Sequence, residues 1–242
     1  MEKEKVLLKN LLFNKEKVEM IANAIGEACK SKKINNFDKS SFVKSILNEF
    51  PELELKARIT CITNNLKKYF EFINLDYRKS VEILLKALPP ELDNSKTDDD
   101  FGDFIYAPFN EFVATYGLTE KDLDFSLDAI YEMTKRFSAE DAIRYFINKF
   151  PSETLNRLFI WSEDKNYHVR RLCSEGTRAK LPWSQKIILN YKEPIQILDN
   201  LYSDKTRYVT RSVANHLNDI SKNDPEFVIQ ILEKWIQLNK KN

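Results

Sequence analysis

Glycine and proline are scarce in this chain, whose 242 residues include 4 Gly and 8 Pro. An all-β protein needs such residues at turns that recur roughly every ten residues, so their scarcity argues against an all-β fold. No window of about eighteen residues is wholly apolar, so the sequence predicts no membrane-spanning helix and no membrane partner. The first residues, MEKEK, alternate in charge and lack the apolar stretch and cleavage site of a signal peptide.

Cysteine and histidine are also few. The three cysteines, Cys29, Cys61 and Cys173, form no CxxC pair and cannot all be bridged, which favours a reducing cytoplasm. The two histidines, His168 and His216, are too few for a His-rich metal site, and no cysteine lies at ligand spacing. We therefore expect no metal and no cofactor.

The charge, which is close to zero overall, is unevenly distributed. Residues 91–141 contain 4 basic and 14 acidic residues, a balance of −10, whereas residues 157–222 contain 12 basic and 7 acidic residues, a balance of +5. A basic face on a neutral protein is typical of proteins that bind a phosphate backbone. The alternative is that these charges form the ordinary solvated faces of a helical protein.

Apolar residues recur at helical spacing through most of the chain, and short polar stretches separate these segments. Gly117 is expected to end one helix in the left-handed conformation, and Ser138 to cap the next. In the last third the pattern predicts helices over 167–177, 184–191, 194–202, 206–220 and 225–238. Short helices joined by short loops indicate antiparallel neighbours, in a bundle or a solenoid.

A repeated pattern, Asp-x4-Val-x-Arg, decides between these two. Residues 164–171 (DKNYHVRR) align with residues 204–211 (DKTRYVTR), forty positions later, a period typical of HEAT and armadillo repeats. We predict an all-α fold, an α-solenoid of HEAT-like antiparallel helix pairs, whose concave face would be the DNA-binding face if its basic residues bind phosphates. It would form a single domain over 1–242, with an acidic loop at about 91–103 and its clearest repeats at 157–222.

Each position of the repeat has an expected role. Asp164 and Asp204 would cap the start of a helix, and the valines would face the core. The arginines two residues after the valines, Arg171 and Arg211, would reach the Asp of a neighbouring repeat.

Four stretches together resemble the AlkC-type DNA alkylation repair family, whose members are bacterial DNA glycosylases built from HEAT-like repeats. They are ELKAR at 54–58, TKRFSAEDAIR at 134–144, HVRRLCSEGTR at 168–178 with Trp161 before it and LPW at 181–183 after it, and SVANHLNDISK at 212–222. The resemblance covers the whole chain, and its third and fourth stretches are the specific ones.

The chain departs from the family pattern at several positions, which bear on its substrate range. Asp141 replaces an aromatic residue, Tyr145 replaces a proline, and Ala179-Lys180 replaces Pro-Arg. The sequence ends soon after Trp235, so we expect no appended C-terminal domain of the kind that some members carry.

The resemblance implies hydrolysis of the N-glycosidic bond of cationic N-alkylated bases, of the 3-methyladenine or 3-methylcytosine type. Such a base departs as a neutral molecule, so the enzyme must chiefly stabilise the cation that develops on the sugar and position a water. Glu140, in the stretch with the family's glutamate, is the first candidate; its alternative role is a first-turn acid favoured by the helix dipole. Asp219 is the second, because an acid near a helix C-terminus is disfavoured by the dipole; its alternative role is a polar cap.

Trp183 resembles the family's lesion-site tryptophan and would gain about 0.5–2 kcal/mol over a cationic base. The alternative is that it fills a repeat junction, while Trp161 and Trp235 are expected in the core. Residues that are not needed for pairing within the repeat are the better phosphate contacts: Arg170, Arg178, Lys180, Lys205 and Arg207. Arg171, Arg211 and His216 are further candidates for binding DNA.

Two hypotheses about function follow. The first is a monofunctional DNA glycosylase, acting as a cytoplasmic, nucleoid-associated monomer on double-stranded DNA that contains alkylated bases. The second is a non-catalytic HEAT-repeat scaffold that binds DNA or protein. The first requires Glu140, Trp183 and Asp219 to converge on the concave side among arginines and lysines.

Overall fold

The computed structural model of the protein describes residues 7–96, 98 and 100–239. These residues form thirteen α-helices, and their β-structure is limited to an isolated bridge between Gly102 and Phe137. The all-α prediction is therefore confirmed. None of the helices in this part of the chain is long and apolar enough to cross a membrane. The segment MEKEK (1–5), which was predicted not to be a signal peptide, lies outside the described residues. The same is true of residues 97 and 99 of the acidic loop.

The chain divides into two compact units. The described part of the first comprises residues 7–90 and 102–137, that of the second residues 91–96, 98, 100–101 and 138–239. The prediction of one continuous repeat domain over 1–242 stays a prediction. The described residues of the predicted acidic loop, 91–96, 98 and 100–103, contain no helix.

The first unit contains seven α-helices in its described residues: α1 (Leu8–Leu12), α2 (Lys15–Ser31), α3 (Lys39–Glu49), α4 (Leu55–Phe72), α5 (Tyr77–Lys86), α6 (Ala107–Tyr116) and α7 (Leu123–Thr134). The side chains of Asp38 and Asp76 cap α3 and α5 by accepting from the main-chain N–H groups three residues on. Arg58 is buried and donates to four main-chain carbonyls, those of Lys9, Phe13, Phe50 and Leu53.

Gly117 ends α6, but the prediction that it does so in the left-handed conformation is wrong, because its φ is −101°. The residue is needed for close packing instead. A Cβ atom at this position would lie 1.9 Å from the hydroxyl oxygen of Tyr77, which itself bonds Ser126.

The second unit contains six α-helices in its described residues: α8 (Glu140–Lys149), α9 (Pro151–Trp161), α10 (Tyr167–Gly176), α11 (Ile195–Leu201), α12 (Arg207–Ser221) and α13 (Pro225–Asn239). α8, α10 and α12 pack side by side in one layer, while α9 and α11 pack against each other in a second. This two-layer stacking of short helices is the arrangement predicted for HEAT-like repeats.

Four of the five helices predicted for the last third are confirmed within two residues, but the one over 184–191 is wrong. Residues 177–194 contain turns and extended backbone. The side-chain amide of Asn148 donates to the carbonyl of Lys186 and accepts from the N–H of Ile188, both at 2.9 Å. These main-chain groups therefore bond to α8 instead of forming a helix of their own.

The repeated pattern has the same local geometry in both copies. Val169 and Val209 are fully buried, as predicted. Asp164 and Asp204 each accept from the N–H two residues on, at 2.7 and 2.8 Å, which forms a turn before the helix. They therefore bond the residue that precedes each helix, and not the helical N–H groups as predicted.

The predicted partners of the arginines are wrong. The arginine that reaches the aspartate of the next repeat is Arg170, whose Nε lies 2.5 Å from Asp204 Oδ2. Arg171 pairs with Glu140 and Arg211 with Asp98. Arg170 was expected to be free for phosphate contact, but it lies on the side of α10 that faces the turn before α12.

All three cysteines are buried and unbridged. Burial raises the pKa of Cys29 to about 11 and that of Cys61 to about 12. Burial also raises the pKa of Cys173 well above its ordinary value.

Candidate active site

Glu140 is the first residue of α8, and it lies in the second unit. Its Oε2 accepts from the hydroxyl of Ser138 and from Nη1 of Arg171, the latter at 2.6 Å. Ser138 was predicted to cap α8, but the residue at the cap is Ala139, and the serine hydroxyl bonds the glutamate instead. The Glu140 side chain is 15% exposed, so it is partly accessible from solvent.

Asp219 lies in α12, in the same unit, and its side chain is 4% exposed. Its Oδ2 accepts from Nε of Arg178 at 2.9 Å, and its Oδ1 lies 3.3 Å from Nζ of Lys222. Asn215, one helical turn earlier, is exposed. The polar residues of this segment therefore divide between the surface and the interior, and Asp219 is the buried carboxylate.

Glu175, near the end of α10, connects these two carboxylates through two arginines. Its Oε1 lies 2.6 Å from Nη1 of Arg178, and its Oε2 lies 3.8 Å from Nη2 of Arg171. The hydroxyl of Ser212 also donates to Oε2, at 2.6 Å. The five residues Glu140, Arg171, Glu175, Arg178 and Asp219 thus form a continuous series of ion pairs, called here the ion-pair chain.

Glu175 was not among the site residues predicted from the sequence. Its position four residues after Arg171 and three before Arg178 places all three side chains on one face of a helical segment. That spacing was the available signal.

Both arginines of the ion-pair chain remain charged, although Arg171 is buried and Arg178 is largely buried. Burial lowers the pKa of Arg171, but the carboxylates of Glu140 and Glu175 outweigh it, so the pKa lies above its ordinary value. The pKa of Arg178 is raised in the same way by Asp219 and Glu175 against burial. The Arg171 guanidinium also lies over the ring of Tyr208, 4.3 Å from its centre.

Trp183 is 72% exposed, and it has a φ of 71°. This left-handed conformation costs a non-glycine residue about 1–2 kcal/mol. An exposed indole on a strained backbone is unlike a residue that fills a repeat junction. Trp161 and Trp235 are buried, which confirms the prediction that they belong to the core.

Arg144 holds the segment that carries Trp183. This arginine of α8 is buried and donates to the carbonyls of Gly176 at 3.1 Å, Arg178 at 2.7 Å and Gln185 at 2.8 Å. Both sides of Trp183 are therefore fixed to α8 by one side chain.

The residues predicted to contact DNA divide into an exposed and a buried set. Lys180, Lys205 and Arg207 are exposed, and Arg211 is about one-third exposed. The buried or largely buried set comprises Arg170, Arg171, Arg178 and His216. The expectation that Arg178 is not needed for pairing is wrong, because it holds both Glu175 and Asp219.

His216 has an environment that opposes its predicted contact with DNA. Its ring is fully buried, and its Nδ1 lies 3.2 Å from the carbonyl oxygen of Ser174. Burial lowers the pKa of His216 to about 4, so the ring is neutral at pH 7. A buried, neutral imidazole is a poor partner for a phosphate.

The arrangement brings Glu140 and Asp219 into one ion-pair chain and fixes the Trp183 segment to the helix that begins at Glu140. It can present a partly exposed, rigidly held carboxylate to a cation. Among the described residues, no group of three or more His, Cys, Asp and Glu side chains is placed to hold a metal ion.

Comparison with solved structures shows the same fold in a DNA-bound enzyme. The chain is similar to Pseudomonas fluorescens alkylpurine DNA glycosylase AlkC bound to DNA containing an abasic site analog, with a TM-score of 0.80 and 33% identity. The match covers 95% of this chain and 60% of that one.

Comparison of sequences gives a consistent result. The chain is 33% identical over 204 residues to YhaZ, an uncharacterised protein of Bacillus subtilis (strain 168), covering 83% of this chain and 53% of YhaZ. The chain therefore spans little more than half the length of these relatives. The model of the family described as DNA alkylation repair enzyme matches residues 112–242, which include every candidate site residue and more than half of the chain. The protein belongs to this DNA alkylation repair enzyme family.

Proposed function

We propose that this protein is a monofunctional DNA glycosylase that removes cationic N-alkylated bases, of the 3-methyladenine or 3-methylcytosine type, from double-stranded DNA. The observation that carries the proposal is the ion-pair chain, which holds Glu140 and Asp219 in fixed positions within one unit. The likeness to an alkylpurine DNA glycosylase at 33% identity supports it.

The proposed reaction follows from the charge of the substrate. The N-glycosidic bond breaks, and its electron pair leaves with the base, which becomes neutral. The sugar becomes cationic at its anomeric carbon, and the oxygen of a water molecule forms the new bond to that carbon. Glu140, the more exposed of the two carboxylates, stabilises the sugar cation and accepts the proton from the water.

Asp219 acts from a more buried position, where its negative charge is weakly screened by solvent. Arg171 and Arg178 hold the two carboxylates in single orientations, so that little reorganisation is needed during the reaction. Trp183 lies beside the damaged base and binds its positive charge over the face of the indole.

The partner in this proposal is DNA, and the exposed basic side chains of Lys180, Lys205 and Arg207 contact its phosphates. The enzyme acts as a monomer in the cytoplasm and is bound to the nucleoid when it repairs DNA. The three unbridged cysteines fit a reducing compartment.

The pairing of both carboxylates with buried arginines favours one alternative, a non-catalytic HEAT-repeat scaffold that binds DNA or protein. Ion pairs of this kind also occur as purely structural elements. In a scaffold, Glu140 and Asp219 would only join α8, α10 and α12.

Release of methylated bases from methylated duplex DNA tests the proposal. Wild type should release them, and Glu140→Gln and Asp219→Asn should each lower the rate roughly 10²-fold. Asp122→Asn is a matched control, since Asp122 is an equally buried carboxylate, ion-paired with Arg78 in the first unit. Full activity in both site variants would refute the site, and DNA binding by wild type without base release would establish the scaffold.

A further inference from the structure

Glu175 is the middle member of the ion-pair chain, and its side chain is as buried as that of Asp219. Each of its carboxylate oxygens faces a different arginine: Oε1 lies 2.6 Å from Arg178, and Oε2 lies 3.8 Å from Arg171. Ser212 donates to Oε2 and so fixes the rotation of the carboxylate.

The arginines would behave differently without Glu175. Arg171 is shared between Glu140 and Glu175, and Arg178 between Glu175 and Asp219. If the central carboxylate were neutral, each guanidinium would be attracted to its one remaining carboxylate alone. Glu140 and Asp219 would then be more completely neutralised, and their positions would no longer be linked.

The net charge of the ion-pair chain also depends on Glu175. Its three carboxylates and two guanidiniums sum to one negative charge. Without the charge of Glu175 the sum is zero, and the chain loses the sign that attracts a cation. Lys222 and Arg144 add positive charge near Asp219, so the surroundings of the carboxylates are less negative than the ion-pair chain alone, and loss of the Glu175 charge would make them one unit more positive.

We infer that Glu175 is a positioning residue of the active site, which holds Arg171 and Arg178 apart so that Glu140 and Asp219 keep their negative charge toward the substrate. The inference rests on the proposed glycosylase function. Glu175 itself does not touch the substrate, and it acts through the two arginines.

Two variants separate the charge of Glu175 from its length. Glu175→Gln keeps the shape and removes the charge, and Glu175→Asp keeps the charge but withdraws it by one methylene. We expect Glu175→Gln to lower kcat about 10- to 100-fold, as small displacements of catalytic groups do, with little change in KM. Glu175→Asp should retain more activity than Glu175→Gln but less than wild type.

A binding measurement reports the negative charge of the site directly. The probes are duplexes with one cationic pyrrolidine abasic nucleotide or one neutral tetrahydrofuran abasic nucleotide. Wild type should bind the cationic duplex more tightly, because it resembles the charged sugar of the transition state. Glu175→Gln should lose about tenfold of this preference. Asp122→Asn, which removes the charge of a buried ion pair in the first unit, should keep both the preference and kcat even if it melts at a lower temperature.

The possible results distinguish failure of this inference from failure of the proposed function. If wild type releases methylated bases and Glu175→Gln matches Asp122→Asn in kcat and in cationic preference, Glu175 is merely structural and the inference is overturned. If Glu175→Gln does not fold, unchanged kcat and preference in Glu175→Asp would overturn it equally. If wild type releases no base at all, the proposed function fails, and this inference fails with it.

Discussion

Arg144 and Gln185 are joined by a hydrogen bond of 2.8 Å, in which the buried guanidinium donates to the main-chain carbonyl two residues after Trp183. The same side chain donates to the carbonyls of Gly176 and Arg178, which precede Trp183. The planar guanidinium reaches these three carbonyls from two separate nitrogens, Nε and Nη1, whereas the three N–H donors of a lysine ammonium all extend from one nitrogen.

Arg144→Lys should therefore destabilise the protein and also impair catalysis. Buried carbonyls left unpaired cost about 1–3 kcal/mol, and the segment that presents Trp183 would shift. Urea unfolding measures the first effect and base release the second. Arg58→Lys is the matched control, because Arg58 is a buried arginine that bonds four carbonyls in the first unit. It should lower stability by a similar amount and leave base release intact under folding conditions; equal losses of activity in the two variants would contradict the prediction.

Two substitutions of Trp183 distinguish the effect of its backbone conformation from the effect of its side chain. Its positive φ favours glycine, so Trp183→Gly should be more stable than Trp183→Ala by about 1 kcal/mol in urea unfolding. Both variants remove the indole, and both should lose the same cation–π contribution to base release. Equal stability of the two would show that the backbone is not strained, and full base release would exclude a role for the indole.

Asp98 forms ion pairs with two of the arginines that are candidates for binding phosphate. Its Oδ1 lies 2.6 Å from Nη2 of Arg211, and its Oδ2 lies 3.5 Å from Nε of Arg207, which is 76% exposed. A phosphate must compete with this carboxylate, so Asp98→Asn should bind duplex DNA several-fold more tightly, with a steeper dependence on salt. Fluorescence anisotropy over a salt series measures both quantities. Asp93→Asn is the control from the same acidic loop, because the side chain of Asp93 accepts from the N–H and the hydroxyl of Ser95, two residues on. A similar gain in that variant would indicate a non-specific charge effect.

Two buried histidines, His168 and His216, are expected to make the free energy of unfolding depend on pH. Burial lowers the pKa of each to about 4, against 6.5 in the unfolded chain. Since the unfolded chain binds these protons first, the stability is complete above pH 6.5 and falls as the pH decreases from 6.5 toward 4. The slope should approach about 1.4 kcal/mol per pH unit for each histidine. Urea unfolding between about pH 7.5 and pH 5 measures it, and replacement of both histidines by glutamine should flatten the curve; an unchanged slope would assign the dependence to other groups.

The helices were predictable from sequence because they depend on local periodicity. Val169 and Val209 were correctly assigned to the core for the same reason. The helix predicted over 184–191 failed because its main-chain groups bond to Asn148 and Arg144, which lie about forty residues earlier in the chain. No pattern within a short window contains that information.

The site was only partly predictable. Glu140 and Trp183 were predicted from resemblance to a family, and Asp219 from its position near the end of a helix, where the dipole disfavours an acid. In the structure they lie on connected elements of one unit. The partners of Arg170 and Arg171 could not be predicted, since adjacent residues on a helix point about 100° apart and the packing of α10 decides which partner each one meets. Glu175 was missed because its importance depends on two ion pairs formed at once.

The burial of the cysteines has a consequence for how the protein would react with alkylating reagents. A thiol attacks electrophiles as its thiolate, and the three thiols of this chain are buried, with pKa values far above neutrality. The folded protein therefore offers these reagents no reactive sulfur nucleophile among its cysteines. A glycosylase of the proposed kind would thus be protected from alkylation at its own cysteines.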